Sequence, residues 1–283
     1  LDQEQAGIPL PALGMRPAVL AAFEAALAEP NGVILVTGPT GSGKTTTLYA
    51  GLSRLNDASR NILTIEDPVE YAVPGVGQTQ VNAKVGMTFA AGLRAILRQD
   101  PDVVMVGEIR DVETAQIAIQ ASLTGHLVLS TVHTNDAAGA VTRLRDMGVE
   151  RFLLASSVRL ILAQRLVRRL CPHCRRAEPA DAATARLAGV AEGQMLYRAQ
   201  GCAQCGQTGY VGRVGVYEAI RVDETIRRLI SEGAAEDEIA RTAREAGGGT
   251  LAQEARACVL EGLTTVEEAL RVTRQEGSAH GEL

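Results

Sequence analysis

The sequence predicts an α/β architecture built on a mostly parallel, buried central sheet. Three observations predict it. Short apolar runs rich in β-branched residues recur between helix-forming stretches, at 32–37, 61–65, 103–106 and 126–131. Such continuous runs read as strands covered on both faces. The first run leads into Gly38-Pro39-Thr40-Gly41-Ser42-Gly43-Lys44-Thr45 and then a helix-forming stretch to Leu52. Strand, glycine loop and helix together are the setting in which the G-x-x-x-x-G-K-[ST] pattern binds phosphate. Finally, each run delivers a phosphate-competent side chain at or just past its carboxyl end: Lys44, Glu66, Glu108 and His133. In alternating β/α chains, ligands bind outside that edge of the sheet.

Size and composition bound the rest. A chain of 283 residues accommodates one large domain and a smaller module. It is 46% hydrophobic but only 3% aromatic, without Trp, so the core must be aliphatic. A net charge of −5 gives no global drive toward nucleic acid. No apolar run has the length of a bilayer span, and no secretory signal pattern opens the chain.

Residues 1–15 are punctuated by Pro and Gly and read as a linker. Pro17 suits a first helical turn, Ala18 to Glu29 is rich in helix formers, and Pro30-Asn31-Gly32 stops the helix. In the glycine loop, Gly38, Gly41 and Gly43 permit close backbone approach to phosphate; in the stretch Pro39 through Thr46 every residue but Pro39 carries an N–H, and these join the helix N-terminus in presenting positive potential. Lys44 supplies a point charge, and the Thr45 hydroxyl is placed to ligate Mg²⁺.

The strand 61–65 ends in Glu66-Asp67-Pro68-Val69-Glu70. A solvated turn explains Asp67-Pro68. The flanking Glu66 and Glu70 read better as groups beside the nucleotide, holding metal-bound water or activating the attacking water. Thr88 can cap a helix to Arg98 that presents Arg94 and Arg98 four residues apart. A solvated basic face and a phosphate-sensing role both fit that pair. Gly107 stands where many NTPases carry a Mg²⁺-linked Asp, so Glu108 must take that role or share it with Asp111. Asp111 also suits the cap of a helix from Val112 to Leu123. Helices are further expected over 136–147, with Gly148 as the stop, and over 151–170 as one or two helices. The latter carry Arg159, Arg165, Arg168 and Arg169, most of which read as a solvated basic face.

Four of the five cysteines form two C-x-x-C pairs, Cys171/Cys174 and Cys202/Cys205, separated by 27 residues. That spacing fits a structural Cys₄ zinc site, and four thiolates leave no open position for catalysis. His173 is a spare nitrogen, and Cys258 reads as a small buried hydrophobe in a helical pattern. Glycines across 206–218 predict a short hairpin. Four short helices follow at 223–232, 235–246, 250–261 and 265–274, then a polar tail over 275–283.

With these residues in hand, the chain resembles the secretion ATPase superfamily, the motors of type II secretion and type IV pilus assembly. The resemblance is carried by GPTGSGKTTTLYA, ILTIEDPVEY, LRQDPDVVMVGEIRD, GHLVLSTVHTNDA and the paired C-x-x-C knuckles. It implies a RecA-like P-loop ATPase core over 16–170, a tetracysteine zinc module over 171–212 and a C-terminal helical region over 213–283. By matching motif position it implies that Glu70 activates water, Glu108 is the Walker B acid and His133 lies near the γ-phosphate. It assigns Arg94 and Arg98, with Arg110 and Arg143, to a nucleotide-bearing interface. ATP, Mg²⁺ and Zn²⁺ are the implied cofactors. The implied assembly is a homo-hexamer on the cytoplasmic side of a bacterial inner membrane, working with platform proteins there. The family's N-terminal docking domains would precede this stretch, making it a C-terminal portion. The tetracysteine module argues against a pilus retraction motor, and the 111–149 stretch looks more like the type II branch than pilus extension. A nucleic-acid motor on the same core is opposed by the net charge and scarce aromatics. A vestigial scaffold is opposed by the intact lysine, threonine and glutamates.

Overall fold

The computed structural model of the chain describes residues 7–274. The first six residues of the expected linker and the polar tail over 275–283 lie outside the described residues. Within the linker, Leu10–Leu13 forms a 3₁₀ turn whose Leu10 and Leu13 are buried, so this part of the stretch is packed. The chain falls into two compact units, 7–163 with 219–248 and 164–218 with 249–274. The first break comes seven residues before the expected end of the core at 170, and the helices over 223–246 group with the core.

In the first unit, α1 (Pro17–Leu27), β1 (Gly32–Thr37), α2 (Lys44–Leu55), β2 (Ile62–Glu66), β3 (Val76–Gln80), α3 (Phe89–Leu97) and β4 (Val103–Val106) come first. They are followed by α4 (Val112–Leu123), β5 (Leu127–Val132), α5 (Ala137–Asp146), α6 (Arg151–Ser157) and the start of β6 (Val158–Leu170). The sheet order is β3-β2-β4-β5-β1-β6, closed by β9 (Tyr210–Arg221). Every pairing from β3 to β6 is parallel. Side chains of β1, β4 and β5 are buried throughout, because helices α2, α4, α5 and α6 pack on β1 or β5 and α3 packs on β4. This is why their sequences read as unbroken apolar runs rather than alternations.

The expected helices over 151–170 are corrected by the structure. Only Arg151–Ser157 is helical, and 158–170 is a long strand. Its residues Leu160 to Arg165 are buried on both faces beside β1, so tertiary packing overrides the helix-forming Leu, Ala, Gln and Arg. Arg165 is therefore buried rather than solvated, while Arg168 and Arg169 are exposed. The hairpin expected within 206–218 is likewise one arm of a larger one. Val222 N–H donates to Arg159 O and Cys171 N–H to Gly209 O, so β6 and β9 run antiparallel. The connection between them carries all four paired cysteines.

The second unit holds that connection: β7 (Arg176–Pro179), α7 (Ala182–Ala188) and β8 (Met195–Arg198), with β7 and β8 paired antiparallel. The four short helices are α8 (Glu224–Glu232) and α9 (Glu236–Glu245) in the first unit, and α10 (Leu251–Leu260) and α11 (Val266–Thr273) in the second. Asp223, Thr250 and Thr265 cap α8, α10 and α11 through their side chains. Glu268 of α11 fastens the far half of β6. Its carboxylate accepts from Arg168 N at 2.7 Å and from the Arg168 and Arg271 guanidiniums at 3.0 Å each.

Candidate active site and cysteine cluster

The parallel register brings the carboxyl ends of β1, β2, β4 and β5 to one edge, since Thr37 faces Val132, Val106 faces Ser130 and Ile65 faces Val106. The glycine loop leaves β1 there. Gly41 and Gly43 take left-handed φ of 80° and 85°, a region open to Gly at little steric cost, and Gly43 stands at the N-cap of α2. Lys44 is thus the first residue of that helix, with Thr45 and Thr46 behind it in the first turn. Ser42 is buried, and its Oγ has no partner among the described residues, a donor set inside a phosphate-type loop.

Lys44, His133 and Glu108 come together. Lys44 Nζ donates to Gly38 O at 2.7 Å and lies 3.1 Å from His133 Nδ1. His133 Nε2 lies 2.6 Å from Glu108 Oε1, and Arg110 Nε donates to Glu108 Oε2 at 2.5 Å. The Arg110 guanidinium also sits over the Phe89 ring, 5.3 Å from its centroid, and 3.8 Å from the Asp67 carboxylate. The segment after β5 is pinned to the end of β1 by Thr134 N–H donating to Thr37 Oγ1 at 2.9 Å. Three strand ends therefore deliver an amine, an imidazole and a carboxylate into one hydrogen-bonded chain.

Other candidates fall elsewhere. Glu66, expected beside a nucleotide, does not join Lys44, Glu108 and His133. It is 2% exposed and turned inward, accepting from Tyr49 Oη, from Thr64 Oγ1 at 2.7 Å and from Gln78 Nε2 at 3.2 Å. Burial, with the Glu66 bond and charge behind it, pushes the Tyr49 phenol far up, so it stays an O–H donor. Glu70 is exposed in the loop after β2, with its backbone N–H donated to Tyr49 Oη at 3.3 Å. Asp111 caps α4, accepting from Thr114 N at 2.8 Å, and so is committed to the helix start. Arg94 pairs with Glu113 on α4, and Arg98 Nε donates to Arg94 O at 3.4 Å, so both bond away from Lys44, Glu108 and His133. Arg143 is exposed on α5. His126 opens β5 at the opposite edge, its Nδ1 2.9 Å from Ala121 O. Tyr49 and Gln78 escaped the sequence reading, because a Tyr in a helix and a Gln in a polar strand carry no motif.

In the second unit the four paired cysteines converge, their Sγ atoms all within 4.8 Å of one another. Cys171–Cys202, Cys174–Cys205 and Cys202–Cys205 are 3.9, 3.8 and 3.7 Å apart. Disulfides would need about 2.05 Å. Four sulfurs about 2.3 Å from one tetrahedral Zn²⁺ stand about 3.8 Å apart, so the donor set fits that ion. Backbone N–H groups point at the sulfurs: Gly201 at Cys174, and Cys202 and Gly209 at Cys205. Burial pushes the Cys205 thiol up, but those two N–H groups and the neighbouring thiols outweigh it and hold it low, at about 6. Burial leaves Cys174 high, at about 11. His173 is exposed and outside the cluster, and Cys258 is buried in α10.

A family model described as type II/IV secretion system protein matches residues 1–271. The chain belongs to this family. It is 58% identical over 277 residues to the type II secretion system protein E of Klebsiella pneumoniae, covering 97% of this chain and 55% of that one. It is 59% identical over 278 residues to protein E of Pseudomonas aeruginosa, covering 98% and 55%. The match to type II secretion system ATPase E of Vibrio cholerae is 54% over 277 residues, covering 97% and 55%. The chain thus spans about half the length of the curated relatives it matches. Among solved structures, the pilus retraction motor PilT with bound ADP superposes with a TM-score of 0.70 at 31% identity, covering 94% of this chain and 66% of that one. The Legionella pneumophila ATPase DotB shares the fold, with a TM-score of 0.68 at 23% identity, covering 95% and 66%. The mostly parallel α/β sheet is therefore the sheet of the secretion ATPases. No described helix is long and apolar enough to cross a membrane.

Proposed function

We propose that this chain is the Mg²⁺-ATP-hydrolysing part of a motor that drives pseudopilus assembly and protein export in type II secretion. The observation that carries the reading is the chain Lys44–His133–Glu108 at the edge where the glycine loop opens. Lys44 and the loop N–H groups from Thr40 to Thr46 would hold the phosphates, with the buried Ser42 hydroxyl as a further donor. Phosphate oxygens are stronger acceptors for Lys44 than the Gly38 carbonyl it now meets, because both partners are then charged. Mg²⁺, when bound, neutralises charge developing between the β- and γ-phosphates, and Thr45 and Glu108 would hold it directly or through water. His133 ties Glu108 to Lys44, so the acid and the amine keep a common geometry. Glu70, exposed on the same edge, would take the proton of the attacking water.

Names among the relatives support the type II assignment, and Arg94, Arg98, Arg110 and Arg143 are the candidates for an inter-subunit face in a homo-hexamer. The motor would work at the cytoplasmic side of the inner membrane with platform proteins and without nucleic acid. The cysteine cluster would hold one structural Zn²⁺, which closes a loop with little core of its own. The test is Glu70→Gln in the full-length protein. ATP affinity should persist while turnover falls by about 10²-fold or more. Wild-type turnover in that variant would remove Glu70 from this role.

A further inference from the structure

The loop that carries Glu70 has an unusual construction. It joins two neighbouring parallel strands, β2 and β3, through residues 67–75 alone, without the covering helix such a crossover ordinarily contains. Asp67, Pro68, Glu70, Ala72, Pro74 and Gly75 are all exposed. Apolar packing therefore fixes little of its course, and three backbone N–H groups are instead donated to side chains beneath it. Val69 donates to Gln80 Oε1 at 3.2 Å, Val73 to Gln78 Oε1 at 2.8 Å and Glu70 to Tyr49 Oη at 3.3 Å.

The Tyr49 bond differs from the other two in where its anchor sits. Gln78 and Gln80 belong to the edge strand β3, but Tyr49 lies on α2, the helix whose first residue is Lys44. Its ring is 1% exposed and meets Tyr71 edge-on, with centroids 4.8 Å apart. Its hydroxyl proton goes to Glu66, which turns the oxygen's lone pairs outward to the Glu70 N–H and to Gln78 Nε2 at 3.3 Å. Glu66, for its part, is held by Thr64 and Gln78. One buried polar cluster thus joins the helix of the phosphate loop, the end of β2 and the exposed loop.

We infer that Tyr49 is a positioning residue for Glu70: its hydroxyl fixes the backbone of the water-activating loop in the same rigid frame as the phosphate loop. This rests on the proposed role of Glu70. A general base contributes only from within hydrogen-bond reach of its proton, and small misplacements cost rate steeply. An exposed nine-residue loop cannot hold such a position by itself. Glu66 serves the same end one step removed, as the group that orients the Tyr49 hydroxyl.

The experiment is steady-state and single-turnover ATP hydrolysis by the full-length protein, comparing Tyr49→Phe, Glu70→Gln and the double variant. Tyr49→Phe keeps the ring and its contact with Tyr71 and removes only the hydroxyl. Its kcat should fall at least about fivefold with KM for ATP within about twofold. In the Glu70→Gln background the same change should have no further effect, because the group it positions is already disabled. Gln78→Met, which removes the amide that meets both Tyr49 and Val73, should repeat the pattern and stands in if Tyr49→Phe fails to fold. Wild-type kcat in Tyr49→Phe, or an equal fold-loss with and without Glu70, overturns the inference. If Glu70→Gln itself turns over at the wild-type rate, the role of Glu70 fails. If Glu70→Gln is inactive but Tyr49→Phe is unaffected, only the positioning role of Tyr49 fails.

Discussion

Replacing Glu268 by Gln probes how the second unit is held together. The carboxylate is 2% exposed and meets five donors: the Arg168 backbone N–H and four guanidinium N–H groups of Arg168 and Arg271. Burial pushes the acid up, but the Arg271 and Arg168 bonds outweigh it and bring it down from 4.5 to about 2. At about 1.36 kcal/mol per pH unit, the ion would contribute about 3 kcal/mol. Both arginine side chains are more than half exposed, at 54% and 55%, so solvent screens part of this. We therefore expect a loss of about 2 kcal/mol in Glu268→Gln at pH 7. The folded-state acid is stronger than the unfolded one. Its contribution is thus complete above about pH 4.5 and disappears as pH falls through about 2. Urea unfolding followed by far-ultraviolet circular dichroism measures this, the chain having no Trp. The variant's deficit should be full at pH 7 and shrink toward pH 3. A variant as stable as wild type at pH 7, or a deficit unchanged down to pH 3, would refute the reasoning.

Two further outcomes follow from the geometry. Freshly purified, reduced protein should contain about one zinc per chain, and metal analysis finding none would contradict the tetrahedral spacing of the four sulfurs. Gly107→Ala should destabilise the fold by about 1–2 kcal/mol, read as a lower urea midpoint, and reduce turnover. A Cβ there would meet Glu66 Cα at 3.3 Å and Ile65 O at 3.4 Å, backbone atoms that cannot turn aside, next to Glu108. Unchanged stability and turnover would mean that the ends of β2 and β4 part freely.

The gathering of Lys44, Glu108 and His133 at one edge of the sheet was legible because its signals are local. A glycine loop between a strand and a helix, and polar residues following apolar runs, place Lys44, Glu108 and His133 without knowledge of the pairing. The caps Thr88 and Asp111 were legible for the same reason, each lying three residues before the N–H it accepts. What the sequence hid is non-local. Residues 158–170 are rich in helix-forming Leu, Arg, Ala and Gln, and their place between β1 and β9 makes them a strand. Glu66 looks identical to Glu70 in one dimension, yet the strand's alternation turns Glu66 inward to Tyr49 while the loop leaves Glu70 in solvent. The cysteine pairs announced their cluster, but not that it sits in the connection between the arms of one long hairpin.

The claim at the centre is that the edge shared by β1, β4 and β5 holds the phosphates of Mg²⁺-ATP. Titration calorimetry of Mg²⁺-ATP into the full-length protein and its Lys44→Ala variant tests it most directly. Loss of a charge-assisted phosphate contact should weaken binding by about tenfold or more. Equal affinity in the two proteins would contradict it.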